Sequence, residues 1–174
     1  MAVREILLLG NPVLRSSCAK VKNFSEPEVG AVIADLRDTL GAFRSGHGFG
    51  RGIAAPQIGV TRRILFIHLE QEFALINPEI VKKSKRMMTL WDDCFSFPDI
   101  LVKVRRHVGI SVAYRDEEGK RRTLEATGGL SELLQHEIDH LDGVLAIDRA
   151  VDPKHIVLRS EWMKMKHNEK GKLM

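Results

Sequence analysis

The residues with the most chemistry in this chain occupy five consecutive positions, His136-Glu137-Ile138-Asp139-His140. On a helix, residues four apart share a face, one turn from each other. Two imidazoles so placed bind one divalent metal through one nitrogen each. Glu137, beside the first histidine, reaches a metal-bound water and acts as general base and then as acid. The metal acidifies that water toward neutrality, so the pentapeptide points to metal-assisted hydrolysis. The plain alternative is a helix with two surface histidines and a surface glutamate. The otherwise apolar helix argues against it, because these groups then sit buried or line a cleft. An unpaired buried polar group costs about 1–3 kcal/mol, which metal binding removes. Asp139 and Gln135 flank the pair and are candidates to orient the imidazoles.

A catalytic site of this type uses three protein ligands and an open position. Two residues qualify as the third. One is Cys94, in Trp91-Asp92-Asp93-Cys94-Phe95-Ser96-Phe97-Pro98. The other is Glu161, twenty-one residues after His140, near the spacing of a third ligand in thermolysin-like proteases. Read plainly, Cys94 is a small core residue, and Glu161 is an exposed acid among Arg159, Lys164 and Lys166. Spacing alone leaves both open.

The elements that must position these groups follow from periodicity. Val29, Val32, Ile33, Leu36, Leu40 and Phe43 predict a helix over 25–43, with Ser25 as N-cap and Pro27 in its first turn. Residues 44–59 are glycine-rich and predict a loop, followed by a short strand. Segments 63–69 and 73–82 read as strands, and Pro78 makes the second an edge strand or a bulged one. Two further strands lie within 101–115. Asp116-Glu117-Glu118-Gly119 is a turn from which 121–126 returns as a hairpin partner. Leu130, Leu133, Leu134, Ile138 and Leu141 predict the helix carrying the pentapeptide over 128–142, with Thr127 as N-cap and Gly143 after its end. A third helix is predicted around 153–167. Helix, several antiparallel strands, then helix is the order of an α+β fold, not of a doubly wound parallel sheet.

The length of 174 residues is that of one domain, and no repeat or linker divides it. No apolar run of about 18 residues is present, so no membrane span is expected. The N-terminus lacks the long apolar region of a signal peptide. Two cysteines, Cys18 and Cys94, without a secretion signal suggest free thiols in a reducing compartment such as the cytoplasm. The net charge of +4 is modest, and Lys164, Lys166, Lys170 and Lys172 crowd the end of the chain. Such a tail is usually a solvated end, though it also suits a polyanion such as RNA. No nucleic-acid motif accompanies it.

Three segments together resemble the peptide deformylase family. Gly50-Arg51-Gly52-Ile53-Ala54-Ala55-Pro56-Gln57 is similar to its G-x-G-x-A-A-x-Q, Asp93-Cys94-Phe95-Ser96 to its G-C-L-S, and Gln135-His136-Glu137-Ile138-Asp139-His140-Leu141 to its Q-H-E-x-D-H-L. Gly10-Asn11-Pro12-Val13-Leu14-Arg15 also looks like the family's N-terminus. The motifs stand in the family's order and span residues 5 to about 150. The resemblance implies antiparallel sheets packed around a central helix that carries the pentapeptide. One catalytic domain over 1–174 is then expected, with 153–174 a C-terminal helix and basic tail. The implied activity is metal-dependent removal of the N-formyl group from the N-terminal methionine of new polypeptides, releasing formate. Cys94, His136 and His140 are the implied ligands, and Glu137 the acid/base. The Gln57 side chain and the Phe95 backbone N–H are implied to polarise the formyl oxygen. Gly50, Arg51, Gly52 and Asp93 are the implied substrate contacts. The implied cofactor is one divalent ion, Fe2+ with Zn2+, Ni2+ or Co2+ as substitutes. The implied partner is an N-formylated peptide, with a ribosome contact through the basic tail and neither DNA nor membrane.

Two departures bear on the substrate. Asp93 replaces the glycine before the family's cysteine, and Arg51 replaces a residue that is usually aliphatic. Arg51 is expected to pair with Asp92 or Asp93 across the cleft mouth, because a lone charge there is costly. Such a pair alters the pocket that takes the methionine side chain. Three other readings are a related amidase or deacylase, the protease using Glu161, and an inactive paralogue that binds nascent chains.

Overall fold

The computed structural model describes residues 2–171, with side chains described through residue 166. The first helix, α1 (Pro27–His47), starts where Pro27 loses nothing by lacking an N–H. Its N-cap is Glu26 in extended backbone rather than the expected Ser25. It runs one turn past the predicted end, and the rings of Phe43 and His47 stack at 4.1 Å across that turn. Gly48 then ends it at φ 75°, donating its N–H to the Arg44 carbonyl.

Among the described residues five strands form one sheet and three another, with all pairs of these strands antiparallel. In chain order they are β1 (Gly52–Ala54), β2 (Ile64–His68), β3 (Glu72–Lys83), β4 (Met87–Asp93), β5 (Ile100–His107), β6 (Gly109–Arg115), β7 (Arg121–Thr127) and β8 (Ile156–Leu158). The larger sheet has the order β1-β2-β3-β6-β7 and the smaller β4-β5-β8. Because β3 is central, Pro78 marks a bulge and not an edge: the register with β6 slips between Ile76 and Glu79. Asn77 there has φ 52°, and its side chain clamps the Val21 backbone through both amide atoms.

Two more helices follow, α2 (Gly128–Leu141) and α3 (Arg159–Gly171). Alternation along the central strands sends neighbouring side chains to opposite faces. Ile64, Phe66, Ala74 and Ile76 pack with Ile33, Leu36 and Leu40 of α1. Leu65, Ile67 and Leu75 pack with Leu133, Leu134, Ile138 and Leu141 of α2. A third cluster joins Cys94, Val102 and Val104 to Leu14 and Leu145. The helix carrying the pentapeptide is therefore enclosed, and every residue from Ser131 to Leu141 is buried.

The C-terminal segment differs from the predicted helix over 153–167. Pro153–His155 is a 3-10 turn, and β8 then adds to the edge of β5. Ile156 and Val157 are β-branched and favour that edge over a helical turn. Only after them does α3 begin. The side chain of Lys170 and the whole of Lys172 lie outside the described residues. No described helix is long and apolar enough to cross a membrane.

Candidate metal centre

α2 presents His136 and His140 one turn apart, with ring centroids 4.9 Å from each other. β4 ends at Asp93 and delivers Cys94 to the same place. Cys94 Sγ lies 3.2 Å from His140 Nε2, and the ligand atoms of Cys94, His136 and His140 all fall within 4.8 Å of one another. All three residues are buried. One thiolate and two imidazoles converging in a buried space are a donor set for a divalent transition metal. Glu137 Oε2 is buried with no hydrogen-bond partner, as expected of a group whose partner is exogenous. The residues thus fit the ion that their sequence implies.

The shell around these side chains is ionic. Asp92 Oδ1 lies 2.9 Å from His136 Nδ1, which leaves Nε2 of that ring for the cluster. Arg106, itself buried, holds Asp92 Oδ2 at 3.1 Å and also bonds Asp139. Arg149 binds the other oxygen of Asp139 at 2.8 Å. Burial alone raises the Asp92 carboxyl, but the His136 ring and the Arg106 guanidinium outweigh it and hold the group at about 2. Burial pushes Glu137 up to about 7, against the pull of His136. Asp139 orients Arg106 and not an imidazole. Gln135 bonds the His107 backbone and Ser131. The orienting acid is Asp92, which reading along the helix alone did not single out. Its position two residues before Cys94 was the available signal.

Gln57 sits in a 3-10 turn after β1, with its Oε1 accepting from the Ala54 N–H at 2.9 Å. That anchor turns Nε2 toward Cys94 Sγ at 3.6 Å and Ser96 Oγ at 3.4 Å. Among the described residues no acceptor takes the Phe95 N–H. The Phe95 ring packs on Phe43 with centroids 3.9 Å apart. A cleft of about 540 Å³ opens over the triad, and Gly50, Arg51, Gly52 and Asp93 all line it. A Cβ on Gly52 would stand 2.9 Å from Glu137 Oε1, so only glycine leaves that carboxylate its place.

The expected partners of Arg51 are corrected. Arg51 bonds Glu132 Oε2 at 2.8 Å and the Gly129 carbonyl at 3.2 Å. Asp93 instead pairs with Arg159 at 2.8 Å, and Asp92 is committed to His136. Glu132 belongs to the helix turn before the histidines, and no sequence spacing ties it to Arg51. Glu161 is exposed on α3, pairs with Lys164 at 2.6 Å and does not line the cleft, which removes it as third ligand.

The family model described as polypeptide deformylase matches residues 3–155. The chain is similar to the peptide deformylase of Heliobacterium modesticaldum, at 39% identity over 86% of this chain and 95% of that one. It is 40% identical to the peptide deformylase of Thermomicrobium roseum over 87% of this chain and 88% of its relative. Among solved structures, peptide deformylase from Legionella pneumophila superposes with TM-score 0.81 at 32% identity, covering 99% of this chain and 97% of that one. The enzyme from Thermotoga maritima gives TM-score 0.80 at 33% identity, covering 87% and 100%.

Proposed function

The chain belongs to the polypeptide deformylase family, and on that premise we propose that it removes the N-formyl group from newly made polypeptides as a one-metal hydrolase using Cys94, His136, His140 and Glu137. The observation that carries this reading is the convergence of one sulfur and two imidazoles beside a buried, unpartnered carboxylate. When bound, the cation supplies a Lewis acid that makes water a nucleophile near neutral pH. Fe2+ in the cell, with Zn2+, Ni2+ or Co2+ as substitutes, suits this donor set.

The chain's own residues do the rest. Glu137 takes a proton from the attacking water as its oxygen bonds the formyl carbon. The amide oxygen gains negative charge, and the Gln57 Nε2–H and Phe95 N–H are the donors placed to stabilise it. Glu137 then passes its proton to the amine nitrogen as the C–N bond breaks, giving formate and a free N-terminus. Asp92 keeps His136 in one tautomer throughout. On this reading residues 1–174 act as one catalytic unit in the cytoplasm, with the basic C-terminal tail as a candidate contact for the ribosome.

The test is anaerobic purification, metal analysis and formate release from formyl-Met-Ala-Ser. The wild type is expected to hold about one ion per chain and to release formate. Glu137→Gln is expected to keep the ion and lose about 10²–10⁴-fold in kcat. Cys94→Ala is expected to lose the ion, and Glu161→Ala to retain it. A Glu137→Gln protein with wild-type turnover, or a metal-loaded wild type inert on every formyl peptide, refutes the reading.

A further inference from the structure

The Arg51–Glu132 pair lines the same cleft as Cys94, His136 and Glu137. Glu132 precedes His136 by four residues, so it stands one turn along the same face of α2, about 6 Å down the axis. Arg51 stands on the opposite wall, between Gly50 and the Gly52 that abuts Glu137. On the deformylase reading, the first side chain of the peptide enters the cleft that this pair lines. The Glu132 side chain is 8% exposed, so its carboxylate depends on Arg51 for its charge to be tolerated there. The Arg51 side chain is 45% exposed and lines the open cleft.

Resting on the deformylase reading, we infer that the Arg51–Glu132 pair makes the first-side-chain pocket polar, so that formyl peptides beginning with a hydrogen-bonding side chain are substrates on a par with formyl-methionyl ones. An apolar side chain seated against the pair takes water from it and returns no hydrogen bond. An amide side chain returns both: its NH₂ donates to the Glu132 carboxylate and its carbonyl accepts from Arg51. Leu133 and Phe95 line the same cleft and offer apolar surface to a thioether. Methionine and glutamine have nearly equal length, so comparing them isolates polarity from size.

The metal-loaded protein is assayed on formyl-Met-Ala-Ser and formyl-Gln-Ala-Ser. Binding of both peptides to the loaded Glu137→Gln protein is measured by calorimetry as a readout independent of turnover. A methionine-to-glutamine ratio below tenfold, in kcat/KM and in affinity, is expected for the wild type. The double variant R51M/E132L, which replaces the pair by apolar groups of similar volume, is expected to raise both ratios at least tenfold. A wild-type ratio of tenfold or more, or a ratio unmoved in a folded double variant, overturns the inference and leaves deformylation standing. If the double variant does not fold, the wild-type ratios decide alone. A loaded wild type that cleaves neither peptide overturns both.

Discussion

The least conspicuous residue of the centre, Asp92, carries much of its organisation. It touches His136 Nδ1 and is itself braced by buried Arg106. Asp92→Asn retains the shape but puts an amide where a carboxylate fixes the ring. Metal affinity is expected to fall about 10–100-fold, read by competition with a chromophoric chelator. Away from the centre, burial raises the Cys18 thiol to about 11, outweighing the opposing pull of Arg63. A folded-state value above the ordinary thiol value of 9.0 means the folded chain holds that proton longer. The contribution to stability is therefore full below about pH 9 and lost as pH rises through 11. Denaturant titrations should show wild-type stability falling over that window by more than that of Cys18→Ala. The placement of Glu137 beside the paired histidines on one helix was legible from the sequence, because an i, i+4 spacing is a local geometric fact. The partners of Arg51 and His136 were not. Those contacts are 81 and 44 positions distant in the chain, and only tertiary packing sets them.

At the scale of elements, β1 and α2 approach so closely that one hydrogen atom decides the fit. At Gly52 a methyl group would meet Glu137 Oε1 and Ile67 Cδ1, both at 2.9 Å. Gly52→Ala is expected to cost about 1–3 kcal/mol by overpacking. It is also expected to lower kcat by displacing the Glu137 carboxylate, which urea unfolding and formate release check together. The helices and the central strands were readable because their faces are consistently apolar. β4 carries little sequence signal: Met87-Met88-Thr89-Leu90-Trp91-Asp92-Asp93 shows no period of two, and its last two residues are acids. Its strand state comes from a seven-residue ladder with β5, from Met87↔His107 to Asp93↔Leu101. β8 was read as helix for a related reason, since three residues are too few to show a period and only the free edge of β5 selects the extended form.

For the molecule as a whole, the proposed ion joins parts that the sheets do not. Cys94 belongs to the smaller sheet's cluster, whereas α2 packs mainly on the larger sheet. A cation bridging them stabilises the folded state by mass action, since the unfolded chain has no assembled site. Chelation is expected to lower Tm, and one equivalent of metal to restore it. Cys94→Ala is expected to show no response to either, as scanning calorimetry checks.

The burial of α2 from end to end has a consequence for how this chain tolerates change. Surface helices let sequence drift on their outer side while the inner side is conserved. α2 has no outer side from Ser131 onward, so a saturation library across those eleven positions should yield almost no silent variants. Adaptation of the enzyme to a new peptide then falls on the few positions that line the cleft, residue 51 on one wall and Glu132 on the other.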